Sequence, residues 1–247
     1  TEGSDISMAL VNVESANSLV LNAGEIVLQN TDVLDKVTQL KGNGNVYIGS
    51  VDGNLTLNSE QQAKVTGTTA NYAGAKLVTD LSTISSDMTG KYLLAGDVDL
   101  SSGSFSTLGA AENLGDMTTG FTGYFNGLGY TVSKLSGSNG LFAQIGSFDS
   151  GEGSYVGGTV KNLRLENVNI SGSGYNGTGA LAGSFVDGTV SNIYVSGKIA
   201  GAGDYASYYG GIVGVMGADN AGFNAKLTNV ENTAMVTGGT EAGDIGG

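Results

Sequence analysis

G-T-V-K-N-L-R-L at residues 158–165 is followed thirty residues later by G-T-V-S-N-I-Y-V at residues 188–195. A weaker third copy, A-K-L-T-N-V-E-N, occupies residues 225–232. Val160, Val190 and Leu227 correspond, as do Asn162, Asn192 and Asn229, and then Leu163, Ile193 and Val230. Leu165 and Val195 fill the next matching place, where the third copy carries the polar Asn232. Each copy follows a glycine-flanked apolar doublet: G-L-F at 140–142, G-A-L-A-G at 179–183 and G-I-V-G at 211–214. A fourth doublet is expected to begin with G-D-I-G at 243–246. Self-similarity at a period of roughly 20 to 50 residues marks an architecture of stacked units that bury a shared core.

Parity inside the copies shows how a unit turns. Leu163 and Leu165 share one face of a strand, whereas Val168 and Ile170 have the opposite parity. The chain must therefore bend near residues 166–167 to keep all four inside, as a solenoid does at its corners. The fold expected is all-β, a right-handed parallel β-helix with about 20 to 25 residues per coil.

Composition agrees with many short strands. There are 43 glycines and no proline, tryptophan or cysteine among 247 residues. Proline cannot donate to a ladder, so its absence suits strands paired on both sides. Only seven of the glycines precede residue 71, which marks a change of repeat type and divides the chain into residues 1–74 and a continuous second part, 75–247. In the first part, apolar residues alternate in brief bursts: Ile6, Met8 and Leu10, then Leu19 and Leu21, Ile26 and Leu28, Val46 and Ile48, and Leu55 and Leu57. Such bursts are narrow strands with one buried face, in a β-helix or an antiparallel sandwich. Leu77, Leu81 and Ile84 fall at i, i+4 and i+7, which predicts one short surface helix within residues 75–88. The glycine-aromatic segment F-T-G-Y-F-N-G at 121–127 is expected to turn a corner where backbones approach closely.

Charge narrows the function. Ten basic against 23 acidic residues give a net charge of −13, and Arg164 is the sole arginine. Phosphate backbones are repelled by such a surface, so no nucleic-acid partner is expected. No run of about 18 apolar residues occurs, so no membrane span is expected in this segment. The chain begins at Thr1 and breaks off in its fourth doublet, which reads as a piece of something longer.

Catalytic chemistry has few candidates. Without histidine or cysteine there is neither the commonest general base nor a thiolate, and no metal or cofactor motif is present. Asp97 and Asp99 point to one side of a strand, but a turn and strand-end role fits them better than an acid–base pair or a cation site. The aligned Asn162, Asn192 and Asn229 read as stacked amides that bond to one another and to the backbone of a bend. Tyr175, Tyr205, Tyr208 and Tyr209 lie in glycine-bounded insertions and are the candidate partner-binding residues, as aromatics that stack on sugars or fill a partner's pocket. Sequons at Asn54, Asn169 and Asn176 are the kind that arise by chance in so Asn-, Ser- and Thr-rich a chain.

From about residue 75 onward the order of features resembles the GLUG-type repeat region of filamentous-haemagglutinin-like bacterial surface adhesins. The matching pieces are Y-L-L-A-G-D-V-D-L-S at 92–101, F-T-G-Y-F-N-G-L-G-Y-T-V at 121–132, G-L-F-A-Q-I-G at 140–146 and the V-x-N-[LI] and G-[LI]-x-G units. The resemblance implies an extracellular segment at a bacterial cell surface, exported by a two-partner or autotransporter route. It would be a passive adhesin or stalk that meets host or neighbouring-cell glycans or proteins, or copies of itself. A self-assembling filament subunit is the alternative, and a carbohydrate-active β-helix enzyme using Asp97 or Asp99 a further one.

Overall fold

The computed structural model describes residues 6–8, 19–21, 25–28, 34–35, 40–42, 45–48, 58–66, 75–101, 105–109, 118–172, 177–201, 208–217, 222–239 and 244–246. They fall into two compact units, residues 1–79 with 91–95, and residues 80–90 with 96–247.

The first unit is built from parallel ladders. Ile6–Met8, Glu25–Leu28 and Asn45–Ile48 form one, with Ile6 beside Ile26 and Ile26 beside Val46. Leu19–Leu21, Leu40–Gly42 and Val65–Thr66 form a second, with Leu19 beside Leu40 and Leu40 beside Val65. Coils of 20 to 25 residues satisfy both registers, as the alternating apolar bursts require. Leu10, Leu55 and Leu57 lie outside the described residues. A helix interrupts the strands at Ser59–Lys64, opened by a reciprocal cap: Gln61 N donates to Asn58 Oδ1, and Asn58 N to Gln61 Oε1. A third parallel pair joins Ala75–Val78 to Lys91–Leu94.

The expected helix within residues 75–88 is only partly present. Leu77 belongs to the Ala75–Val78 strand, and the helical piece is a 3₁₀ turn at Leu81–Ser86 whose cap, Asp80, accepts from Ser82 N. Leu77, Leu81 and Ile84 are all buried, so the spacing reported inward residues correctly. A strand followed by a tight turn places inward residues at the same intervals as a helical stripe.

The second unit is organised on the quoted repeats. Gly158–Gly172 pairs in parallel with Gly188–Gly201, which pairs with Ala225–Asn232 and Met235–Thr237. Val160, Val190 and Leu227 form one column and Leu163, Ile193 and Val230 another. Below them, Tyr124–Asn126, Thr131–Ser133 and Ser136–Gly137 line up in turn along Gly158–Gly172. Val160 to Val190 spans thirty residues and Val190 to Leu227 thirty-seven, so these coils exceed the expected 20 to 25 because they carry insertions. The preceding coil, from Phe125 to Val160, carries an antiparallel hairpin, Ser147–Asp149 with Ser154–Val156.

The doublets form another wall of the same coils, in which Phe142–Ile145, Ala182–Phe185 and Val213–Met216 stack in parallel. A further short ladder pairs Tyr208–Gly210 with Asp244–Gly246, and Thr178 bridges to Tyr209. This corrects the reading of the fourth doublet. Ile245 lies beside Tyr209 and Gly246 beside Gly210, so Asp244–Gly246 occupies the strand that precedes a doublet. Between the walls Phe121, Phe125 and Phe142 pack with ring centroids 4.8 Å and 6.0 Å apart, all fully buried. Both units are all-β and parallel apart from the hairpin, which excludes an antiparallel sandwich for the described residues and makes this a parallel β-solenoid.

Candidate functional site: an amide ladder at the coil corner

Along Gly158–Gly172 the buried aliphatic positions are Val160, Leu163, Leu165, Val168 and Ile170, at intervals of three, two, three and two. A flat strand would keep an interval of two throughout. The two longer steps contain Asn162 and Asn167, whose φ angles are 53° and 55°. A left-handed residue turns the backbone through a corner and lets the next side chain point inward again, and Asn adopts that conformation more readily than other residues with a side chain. The corner recurs at Asn192 with φ 54° and at Asn229 with φ 51°.

These corners are tied vertically. Asn229 Nδ2 donates to Asn192 Oδ1 at 2.8 Å, Asn192 Nδ2 to Asn162 Oδ1 at 2.8 Å, and Asn162 Nδ2 to Asn126 Oδ1 at 3.1 Å. Asn126, fully buried, is the foot of the ladder and was not singled out in the sequence. In that lower coil Leu128 takes the left-handed position with φ 52°, and Asn126 Oδ1 also accepts from Leu128 N. The signal that could have found it is the N-G-L-G run at 126–129, where Asn sits two residues before a strained turn. Such a column can fix register and hold corners, and its amides are spent on one another.

Backbone proximity explains two of the repeat glycines. Gly188 has φ 113°, and a Cβ there would collide with the carbonyl oxygen of Gly158. A Cβ at Gly158 would meet the carbonyl of Phe121 in the same way.

The acidic candidates are committed to structure. Asp97 Oδ1 accepts from Thr131 N at 2.8 Å. Asp99 accepts from Lys134 Nζ at 2.7 Å and from Ser101 N at 2.8 Å, and the Lys134 bond leads in holding its pKa down to about 2. An acid so stabilised as an anion is a poor proton donor near neutrality. Among the described residues no group of three or more Asp or Glu is placed to hold a metal ion.

The tyrosines separate. Tyr175 and Tyr205 lie outside the described residues. Tyr208 is a half-buried strand residue. Tyr209 is 1% exposed, which removes it from the residues able to meet a partner. It is a rung of the core between Thr178 and Ile245, and among the described residues its hydroxyl has no hydrogen-bond partner. Tyr194 is half-buried, and its ring carries the Arg164 guanidinium at 4.2 Å while Arg164 also pairs with Glu166 at 2.7 Å. Of the sequons, Asn169 is exposed but sits in a strand paired with Ser136 and Lys198, and Asn54 and Asn176 lie outside the described residues.

Ladder, corners and walls together define a parallel β-solenoid whose repeated residues serve the stack itself. No family model matches the chain, and no solved structure matches it. Over 160 residues, 64% of its length, it is 33% identical to halomucin of Haloquadratum walsbyi (strain DSM 16790 / HBSQ001). The chain spans 2% of that protein's length.

Proposed function

We propose that this chain is a segment of a cell-surface or secreted scaffold, a passive spacer whose outer walls and insertions mediate attachment to glycans or proteins of other cells. The observation that carries the reading is the filled interior: Val160, Leu163, Leu165, Val190, Ile193 and Val195 are at most 2% exposed, and the repeated polar residues bond to one another. Nothing in that pattern sets aside a reacting group. The GLUG-type resemblance supports a surface role, and likeness to a small part of the much longer halomucin supports a place in an extended architecture. That relative is archaeal, so the reading is of a microbial surface and not of a bacterial one in particular.

Beads coated with the chain, presented to cells and to an array of neutral and acidic glycans, test this directly. Saturable binding that falls when Tyr175 and Tyr205 are changed to Ser is expected. Binding no greater than that of an unrelated protein of equal charge would contradict it. Polysaccharide turnover abolished by D97N or D99N would move the function to an enzyme.

A further inference from the structure

Six asparagines lie in the three longest strands, and five of them have a structural role. Asn162, Asn167, Asn192 and Asn229 take left-handed corners. Asn232 bonds both ways to Ala234, its Nδ2 donating to the carbonyl and its Oδ1 accepting from the N–H. Asn169 does neither. It is not a positive-φ residue, and among the described residues its side-chain amide has no hydrogen-bond partner. Asparagine is depleted in strands, and the stack does not call for it at this place. The residues in the same column of neighbouring coils are Ser136, Lys198 and Met235.

The surroundings of Asn169 are those of an attachment point. Asn169, Ile170 and Ser171 form an N-x-[ST] triplet without proline. Alternation along the strand buries Val168, Ile170 and Gly172 and turns Asn169 and Ser171 outward, both exposed. Paired strands lie on both sides of Asn169, so its exposure belongs to the outer wall and not to an end of the stack. A triplet by itself arises by chance in such a chain. An outward triplet whose asparagine has no other role is the observation that sets this one apart.

We infer, resting on the surface reading above, that Asn169 is a glycan acceptor. The donor is a lipid- or nucleotide-activated sugar diphosphate. Asn169 Nδ2 bonds to the anomeric carbon and gives up a proton, while the bond from that carbon to the phosphate oxygen breaks and the diphosphate leaves. Pairing within the sheet does not stand in the way, because Lys198, the strand neighbour that follows, arrives a whole coil later in the chain. Until such non-local contacts form, the triplet is an open segment of chain. After folding, the sugar projects from the wall and displaces no buried side chain.

Mass spectrometry of the full chain recovered from its own cells tests this. Trypsin cuts after Arg164 and Lys198, and the peptide 165–198 carries both Asn169 and Asn176. Fragment ions should place a glycan on Asn169. S171A should lose that mass increment and S171T should keep it, with Asn169 itself unchanged in both. Acceptance precedes folding, so loss in S171A reads the triplet and not the stability of the variant. Asn169 bare in the wild-type chain, or a glycan on it that survives S171A, would overturn the inference. A chain found at the cell surface or in the medium with Asn169 bare would overturn this inference alone, whereas a chain confined to the cytoplasm would overturn the surface reading with it.

Discussion

Asn192 has two separable roles, a left-handed corner and a rung in the amide column. Glycine accepts the corner but supplies no amide, whereas alanine supplies neither. N192G should therefore lose only the two amide bonds, about 0.5–1.5 kcal/mol each. N192A should cost roughly 1 kcal/mol more, the strain of a left-handed alanine. Denaturant unfolding reads the difference, and equal losses would mean that φ is not what selects Asn. At Tyr209 the balance is reversed, because a buried hydroxyl without a partner costs about 1–3 kcal/mol. Y209F should raise stability by roughly 1 kcal/mol, and a marked loss would show that the hydroxyl has a partner. Asp99 supplies a pH dependence. Its folded pKa, about 2, lies below that of an unfolded aspartate, so the stability from its bonds is full above about pH 4 and is lost as pH falls through about 2. A carboxyl titration by NMR should place Asp99 near 2 and move it upward in K134A. An unchanged midpoint in K134A would remove Lys134 as the leading cause.

At the scale of the element, the long strands stack because glycine stands where one backbone passes another. G188A would add strain at φ 113° and drive a Cβ into the Gly158 carbonyl, and a loss of roughly 2–4 kcal/mol is expected. The matching residue of the third copy is Ala225, which is not a positive-φ residue, so the sequence relaxes the requirement where the backbone does. Stability of G188A within 0.5 kcal/mol of wild type, roughly the scatter of neutral surface changes, would contradict this close approach. Strands whose apolar pattern repeats were legible in the sequence: Val160, Val190 and Leu227 align by eye and stand beside one another in the structure. The bend near residues 166–167 was legible from parity, and Asn167 supplies it. The corner at Asn162 was harder to place, since a change of parity locates a turn only to within a residue or two. Tyr209 was misplaced because a tyrosine flanked by glycines looks like a loop, and only the ladder from Thr178 to Ile245 shows it to be core. Asn126 was missed because its neighbours do not follow the repeated pattern, although its amide continues the column.

For the whole molecule, function follows from what the repeated residues leave over. Aliphatics fill the coils, asparagines hold the corners, and glycines admit the next backbone, so recognition falls to outer walls and insertions. Each of these assignments depends on successive coils lying in parallel at the observed register. Methyl–methyl NOEs in a sample labelled at Ile, Leu and Val measure that register without altering a residue. Cross-peaks are predicted from Leu163 to Ile193, from Ile193 to Val230 and from Ile170 to Ile199. Their absence, with Leu163 instead coupled to a strand running the other way, would contradict the stacked-coil account.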